Sequence, residues 1–259
     1  SKMKNTGLNR LDQVQMAEWD SVYNPIIRKF YASNLSGDEL VRFKYQRYLQ
    51  DYLACIAAVD KSVGEVLDYL KETGLDKNTV VIYASDQGFY LGEHGLFDKR
   101  FMFEESYRTP LLISWPGVTK SGTINGDMVS NIDLPETFLE IAGVDVPSDM
   151  QGRSMVPVLK GRTPGNWRKE HYYHYYEYPG SHMVKRHYGM STQRYKLIHY
   201  YYDIDEWELY DRIADPLEMR NFYDDPSYSR VRKKLHRLLA KLMVEYGDSE
   251  ELAHSLLPK

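Results

Sequence analysis

The sequence predicts a mixed α/β protein in which a strand ends in ligand-type residues and a C-terminal subdomain of antiparallel strands and a helix follows. Three observations predict this. Apolar residues recur at steps of three and four through residues 49–70, the spacing of an amphipathic helix. The run from Thr79 to Ser85 is short, apolar and rich in β-branched residues, as a buried strand is. Beyond Tyr172, tyrosine-rich segments separated by turn residues read as antiparallel strands. The α/β part is assigned to 1–145, a link to 146–168 and the sheet-and-helix subdomain to 169–259.

Taken in order, the first organised element is a helix over Ser36–Thr73, with Leu49, Tyr52, Ile56, Val59, Val63, Val66 and Leu70 forming a face to lie against a sheet. Ser36-Gly37-Asp38-Glu39 reads as its N-cap with acid in the first turn, and Gly74 as its stop. Cys55, the one cysteine, sits in the apolar stripe as a small buried hydrophobe without chemistry. After the strand Thr79–Ser85 comes a loop, a helical turn near Phe103–Tyr107, and a strand over Leu111–Trp115 ended by Pro116-Gly117. Asp133, just before Pro135, reads as the N-cap of the next helix. The Pro- and Gly-rich stretch that follows has little periodicity and reads as the link. Strands are expected at Tyr172–Tyr178, Arg194–Tyr201 and Trp207–Asp211, with a last helix over Ser227–Tyr246 burying Val231, Leu235, Leu238, Leu239 and Leu242. The many Lys and Arg on its other face read as a solvated surface.

The chemistry concentrates after Ser85. Asp86 and the carboxamide of Gln87 offer adjacent oxygens of the kind a hard divalent cation takes, and Gly88 permits the backbone break that lets both reach one ion. In open parallel α/β sheets, ligands gather at the carboxyl ends of strands, where this pair is expected. Lys99, thirteen residues beyond Asp86, adds a compact positive charge suited to a sulfate or phosphate oxygen. His94, in Gly92-Glu93-His94-Gly95, is the second candidate catalytic group, with orientation of the loop as its alternative role.

The order Asp86-Gln87-Gly88, Leu91-Gly92-Glu93-His94-Gly95, Lys99, then Tyr107-Arg108-Thr109-Pro110-Leu111-Leu112-Ile113 resembles the C-terminal part of the catalytic domain of type I sulfatases, in the alkaline phosphatase superfamily. The segments around Asp133-Leu134-Pro135 and Asp215-Pro216-Leu217 resemble it too. The resemblance implies part of an alkaline-phosphatase-like sandwich, a bound Ca2+ (Mg2+ as the alternative) on Asp86 and Gln87, and a formylglycine nucleophile made from a Cys-x-Pro-Ser-Arg cysteine. That motif is not in this sequence, nor is the family's N-terminal Asp-Asp pair. The chain therefore reads as roughly a C-terminal half, either a fragment or a piece whose partner, the N-terminal half of the same enzyme, is a separate chain. The pieces Tyr176-Glu177-Tyr178-Pro179-Gly180 and Arg186-His187-Tyr188-Gly189 are similar to bacterial N-acetylglucosamine-6-sulfatases. Their loop makes His182, Arg186 and His187 the candidate substrate-binding residues for a sulfated glycan, with a solvated basic hairpin as the alternative reading.

Composition sets bounds on function. A net charge of −4 speaks against a nucleic-acid partner held by counterion release. No apolar run approaches the roughly 18 residues of a membrane span. With 23 tyrosines, the chain has rings to stack on sugar faces as well as to pack strands. Residue 1 opens no secretory signal, but a C-terminal half would not carry one. The resemblance places the parent in the periplasm or another extracytoplasmic space. Three functions remain: hydrolysis of a sulfate ester on an amino sugar, a phosphatase or phosphonate hydrolase of the same superfamily, and a non-enzymatic carbohydrate-binding module.

Overall fold

A computed structural model of the chain describes residues 12–180 and 182–257. The chain divides into two compact units, residues 1–65 and 66–259. In the first, helix α1 (Gln13–Ala32) is opened by a capping box in which Gln15 N donates to Asp12 Oδ1 (2.8 Å) and Asp12 N to Gln15 Oε1 (3.1 Å). The sequence suggested no element before Ser36, because α1 contains Pro25 and its apolar spacing is weak. Helix α2 (Gly37–Glu72) matches the expected helix within a residue, and Gly74 stops it at φ +72°. Phe30 of α1 and Phe43 of α2 stack at 5.6 Å.

The apolar stripe of α2 is present but uncovered. Ile56, Val59 and Val66 are about half exposed, no residue of α2 is buried, and Cys55, expected in a core, is exposed too.

In the second unit, β1 (Val81–Ala84) and β4 (Leu111–Ser114) pair antiparallel, with Tyr83 opposite Leu112. The carboxyl end of an open parallel sheet expected here is therefore replaced, among the described residues, by a two-stranded antiparallel ribbon. Leu111 and Ile113 pack on a cluster made by Met155, Val158 and Trp167, while Leu112, on the opposite face, is 61% exposed. Between them lie β2 (Tyr90–Leu91), β3 (Phe97–Asp98) and the one-turn helix α3 (Glu104–Tyr107). Helix α4 (Asp133–Ala142) and the short α5 (Val156–Leu159) follow. Residues 146–168, expected as a link, thus supply a buried cluster of their own.

Asp133 is not the N-cap of α4, whose cap position is Ile132; it is the first helical residue. Its fully buried carboxylate pairs with both terminal nitrogens of Arg168 and accepts from the backbone N–H groups of Ser130 and Arg153, each at 2.8 Å. A buried charge needs such a set of partners, and together they tie α4 to residues 153 and 168.

The C-terminal sheet runs in the order β5 (Glu170–Tyr175), β6 (His187–Thr192), β7 (Tyr195–Tyr200), β8 (Glu206–Asp211), all antiparallel neighbours. Strand β6 corrects the sequence reading, which left Glu177–Gly189 as loop and did not extend a strand beyond it. Period-two alternation sorts the sheet's two faces. Tyr188, Met190, Leu197 and Leu209 meet Leu235, Leu239, Leu242 and Met243 of helix α6 (Ser229–Glu245). Ile198, Tyr200 and Tyr210 turn the other way, onto Phe101, Met102 and Phe103. A final helix α7 (Glu250–Ser255), absent from the sequence reading, is capped by Ser249 and closes the chain over Tyr188 through Glu250 (3.0 Å).

Candidate active site

The strand β1 ends at Ala84 and the backbone bends at Asp86 and Gln87. Ser85 Oγ donates to Gln87 O at 2.7 Å, and Asn131 Nδ2 to Asp86 O at 2.7 Å, so the bend is held through its main chain. That leaves the side chains available. Among the described residues neither the Asp86 carboxylate nor the Gln87 carboxamide has a protein partner. Unpaired carboxylate and amide oxygens fit a hard cation, and the pair would fill two of its roughly six to eight positions. No cluster of three or more His, Cys, Asp or Glu side chains suited to a metal exists among the described residues.

Gly88 then passes so close to α3 that a β-carbon would stand 2.0 Å from Glu105 O. Gly88 N donates to Ser106 O (2.8 Å) and Phe89 N to Glu105 O (2.7 Å). From the other side, Arg100 N donates to Ser106 Oγ at 2.8 Å. Ser106 thus holds both the residue two beyond Asp86 and the residue next to Lys99. The two stretches that the sequence singled out converge on one buried serine.

Lys99 has Asp98 Oδ1 3.9 Å from its Nζ, the outer limit of an ion pair, which leaves its three donors open to an anion. The residues on either side of it, Asp98 (φ +79°) and Arg100 (φ +99°), take left-handed backbone conformations that side chains normally avoid. Arg100 forms an ion pair with Asp98, and its Nη2 lies 2.8 Å from His182 Nε2, while His182 Nδ1 lies 3.8 Å from Asp98 Oδ2. His182 is thereby brought beside the two neighbours of Lys99 in sequence, across more than eighty residues of chain. Sequence reasoning missed Asp98 and Arg100, although the unbroken Asp-Lys-Arg charge run was visible.

His94 is packed within the loop. Its ring stacks on Phe103 at 4.0 Å, and its Nε2 faces Glu105 Oε2 at 3.4 Å, neither atom making a regular hydrogen bond. Arg186 is buried, with Nε donating to Tyr178 O (2.6 Å) and Nη1 lacking a partner.

His187, expected in a substrate loop, is the first residue of β6 and is fully buried. Phe101, Tyr173 and Tyr175 stack around it at 5.5–5.8 Å, and its Nδ1 pairs with Lys185 O. Burial holds its pKa down at about 4, against the hydrogen bond that Lys185 O accepts from it, which raises it. This imidazole is neutral and touches protein on every side. Its place beneath Arg100, whose carbonyl accepts from Tyr173 Oη (2.8 Å), makes it part of the floor of the loop.

Residues 92–245 match the family profile "N-sulphoglucosamine sulphohydrolase, C-terminal", and residues 13–144 match "Sulfatase". The chain belongs to the sulfatase family. This sulfatase chain is 51% identical over 235 residues to the N-acetylglucosamine-6-O-sulfatase of Bacteroides thetaiotaomicron, covering 90% of the chain and 42% of that protein. It superposes with TM-score 0.87 and 48% identity on a solved complex with the substrate D-glucosamine-2-N,6-O-disulfate, covering 95% of the chain and 50% of that one. A phosphonate monoester hydrolase of Agrobacterium radiobacter is similar at TM-score 0.66 and 26% identity, over 73% of the chain and 40% of that protein. The chain spans about half the length of these relatives or less. These matches agree with the α/β fold class read from the sequence.

Proposed function

We propose that the full-length parent of this chain hydrolyses a sulfate ester, a 6-O-sulfate on an N-acetylglucosamine-type residue of a glycosaminoglycan or related glycan. The observation that carries this reading is the convergence on Ser106 of an unpaired Asp86–Gln87 pair and an unencumbered Lys99. The sulfated glucosamine bound by the 48%-identical neighbour supports the substrate class. Asp86 and Gln87 would hold a Ca2+ ion, with Mg2+ as the alternative; such an ion supplies Lewis-acid stabilisation of charge on the ester oxygens. Lys99 would bind the sulfate and neutralise the charge that builds on it. His182, the exposed member of its cluster, would face the sugar, while Arg186, His187 and His94 hold the loops that present Lys99. The nucleophile, a formylglycine, belongs to the N-terminal half of the parent. That half would also cover the bare stripe of α2 and the open edges of β1 and β4. The parent is expected in the periplasm or another extracytoplasmic space; among the described residues no helix is long and apolar enough to cross a membrane.

The test compares the full-length parent with its Asp86→Ala variant on N-acetylglucosamine-6-sulfate and on matched phosphate and phosphonate esters. The expected outcome is a preference for the sulfate ester and a loss of about a hundredfold or more in kcat/KM in the variant, with sugar binding retained. Faster turnover of the phosphonate would move the parent to the hydrolase reading, which the Agrobacterium relative keeps open. Binding without turnover of any ester would make it a carbohydrate-binding protein.

A further inference from the structure

We propose that Lys196 is a positioning residue for this site, acting through Glu104 and Glu218 on helix α3 and so on the backbone that carries Asp86, Gln87 and Lys99. The role rests on the functional reading above, but its geometry does not.

Lys196 is the second residue of β7, with a side chain that is fully buried. A lysine ammonium withdrawn from water is tolerated only among compensating charges. Here its Nζ is 2.6 Å from Glu218 Oε1 and 3.1 Å from Glu104 Oε1, and 5.3 Å from the centre of the Tyr107 ring. Arg212 Nη1 reaches Glu104 Oε1 at 2.7 Å. None of these carboxylate oxygens is aligned as a regular hydrogen-bond acceptor, so charge holds the group together. Burial alone would raise the pKa of Glu104; Lys196 and Arg212 outweigh it and hold that carboxylate below its ordinary value.

What this group grips is α3. Glu218 Oε2 accepts from Glu104 N at 2.8 Å, capping the first residue of the helix from 114 positions away. A helix of four residues has too few internal hydrogen bonds to fix its own place. Yet Glu105 O, Ser106 O and Ser106 Oγ are the acceptors for Phe89, Gly88 and Arg100. The path from Lys196 to the Asp86 bend is therefore one ion pair, one short helix and two backbone hydrogen bonds. For packing alone, a methionine in this face of Ile198, Met102 and Tyr210 would fill the space without the cost of desolvating a charge.

The experiment is hydrogen exchange on full-length parent, wild type against Lys196→Met, Lys196→Arg and Glu218→Gln, with kcat and KM for the sulfate ester measured beside it. Expected is exchange at least about tenfold faster in the peptide spanning 86–106 of Lys196→Met, with β5–β8 still protected as in the wild type. A fall in kcat of about tenfold to a hundredfold accompanies it, and Lys196→Arg, which keeps the charge, recovers most of both. Glu218→Gln, which leaves Lys196 paired with Glu104, shows the same signature more weakly. Site-loop exchange that stays at the wild-type level, or rises only in step with the sheet, overturns the proposal. So does failure of both Lys196→Met and Glu218→Gln to fold, which would make the group a stability device alone. A wild-type parent inactive on sulfate esters would refute the functional reading, while the exchange arm still decides whether Lys196 positions the loop.

Discussion

Gly88 shows how little room single residues have in this site. A β-carbon at 2.0 Å from Glu105 O and 2.8 Å from Glu105 C would meet backbone, which cannot swing aside as a flexible side chain can. Gly88→Ala should lower stability by about 1–3 kcal/mol in denaturant unfolding, with loss of protection at the Phe89 amide. An unchanged midpoint would mean the two segments are not in this contact. His187 and His171 make a second prediction at this scale. Burial lowers each from 6.5 to about 4. Their contribution to stability is complete above about pH 6.5 and is lost as pH falls toward 4, since the unfolded chain binds the proton first. Between pH 7.5 and 5 the loss is about 2 kcal/mol for each. Urea unfolding at the two pH values should show it, and His187→Phe should remove about half the slope; a slope unchanged by that variant would show the imidazole is accessible to water.

Among the elements, β6 and α6 were legible to very different degrees. The stripe Val231, Leu235, Leu238, Leu239, Leu242 could be read because α6 buries one face only, and the structure buries Leu235, Leu239 and Leu242. Leu235→Ala should therefore cost about 2–5 kcal/mol by chemical denaturation, whereas Lys234→Ala on the same helix should stay within about 0.5 kcal/mol. Equal effects would put α6 off the sheet. Strand β6 was hidden because it is buried on both faces and so shows no alternation, and because Gly189 in its centre looks like a turn residue. Gly189 is there for proximity: a β-carbon would stand 2.3 Å from Leu197 O and 2.9 Å from Met102 Sδ. For α2 the periodicity was right and the inference of a covering sheet was not met by the described residues.

On the scale of the whole molecule, the C-terminal sheet is a platform with two occupied faces, α6 on one and the loop 101–107 on the other. The Cys-x-Pro-Ser-Arg motif, from which the proposed nucleophile would be made, is not in this sequence. The 259-residue chain by itself should show no turnover of an aryl sulfate, measured against the full-length parent at equal concentration. Turnover above the uncatalysed rate would overturn that expectation. Local order along the chain was enough to read helices α2 and α6, most of the strands and the family, because periodicity and short motifs depend on neighbours in sequence. Tertiary structure alone decided that Ser106 joins the stretch after Asp86 to the stretch after Lys99, that His187 is buried, and that Lys196, an ordinary strand lysine in the sequence, is buried between two glutamates. Those facts depend on which charges and backbones meet across a hundred residues, and no local pattern records that.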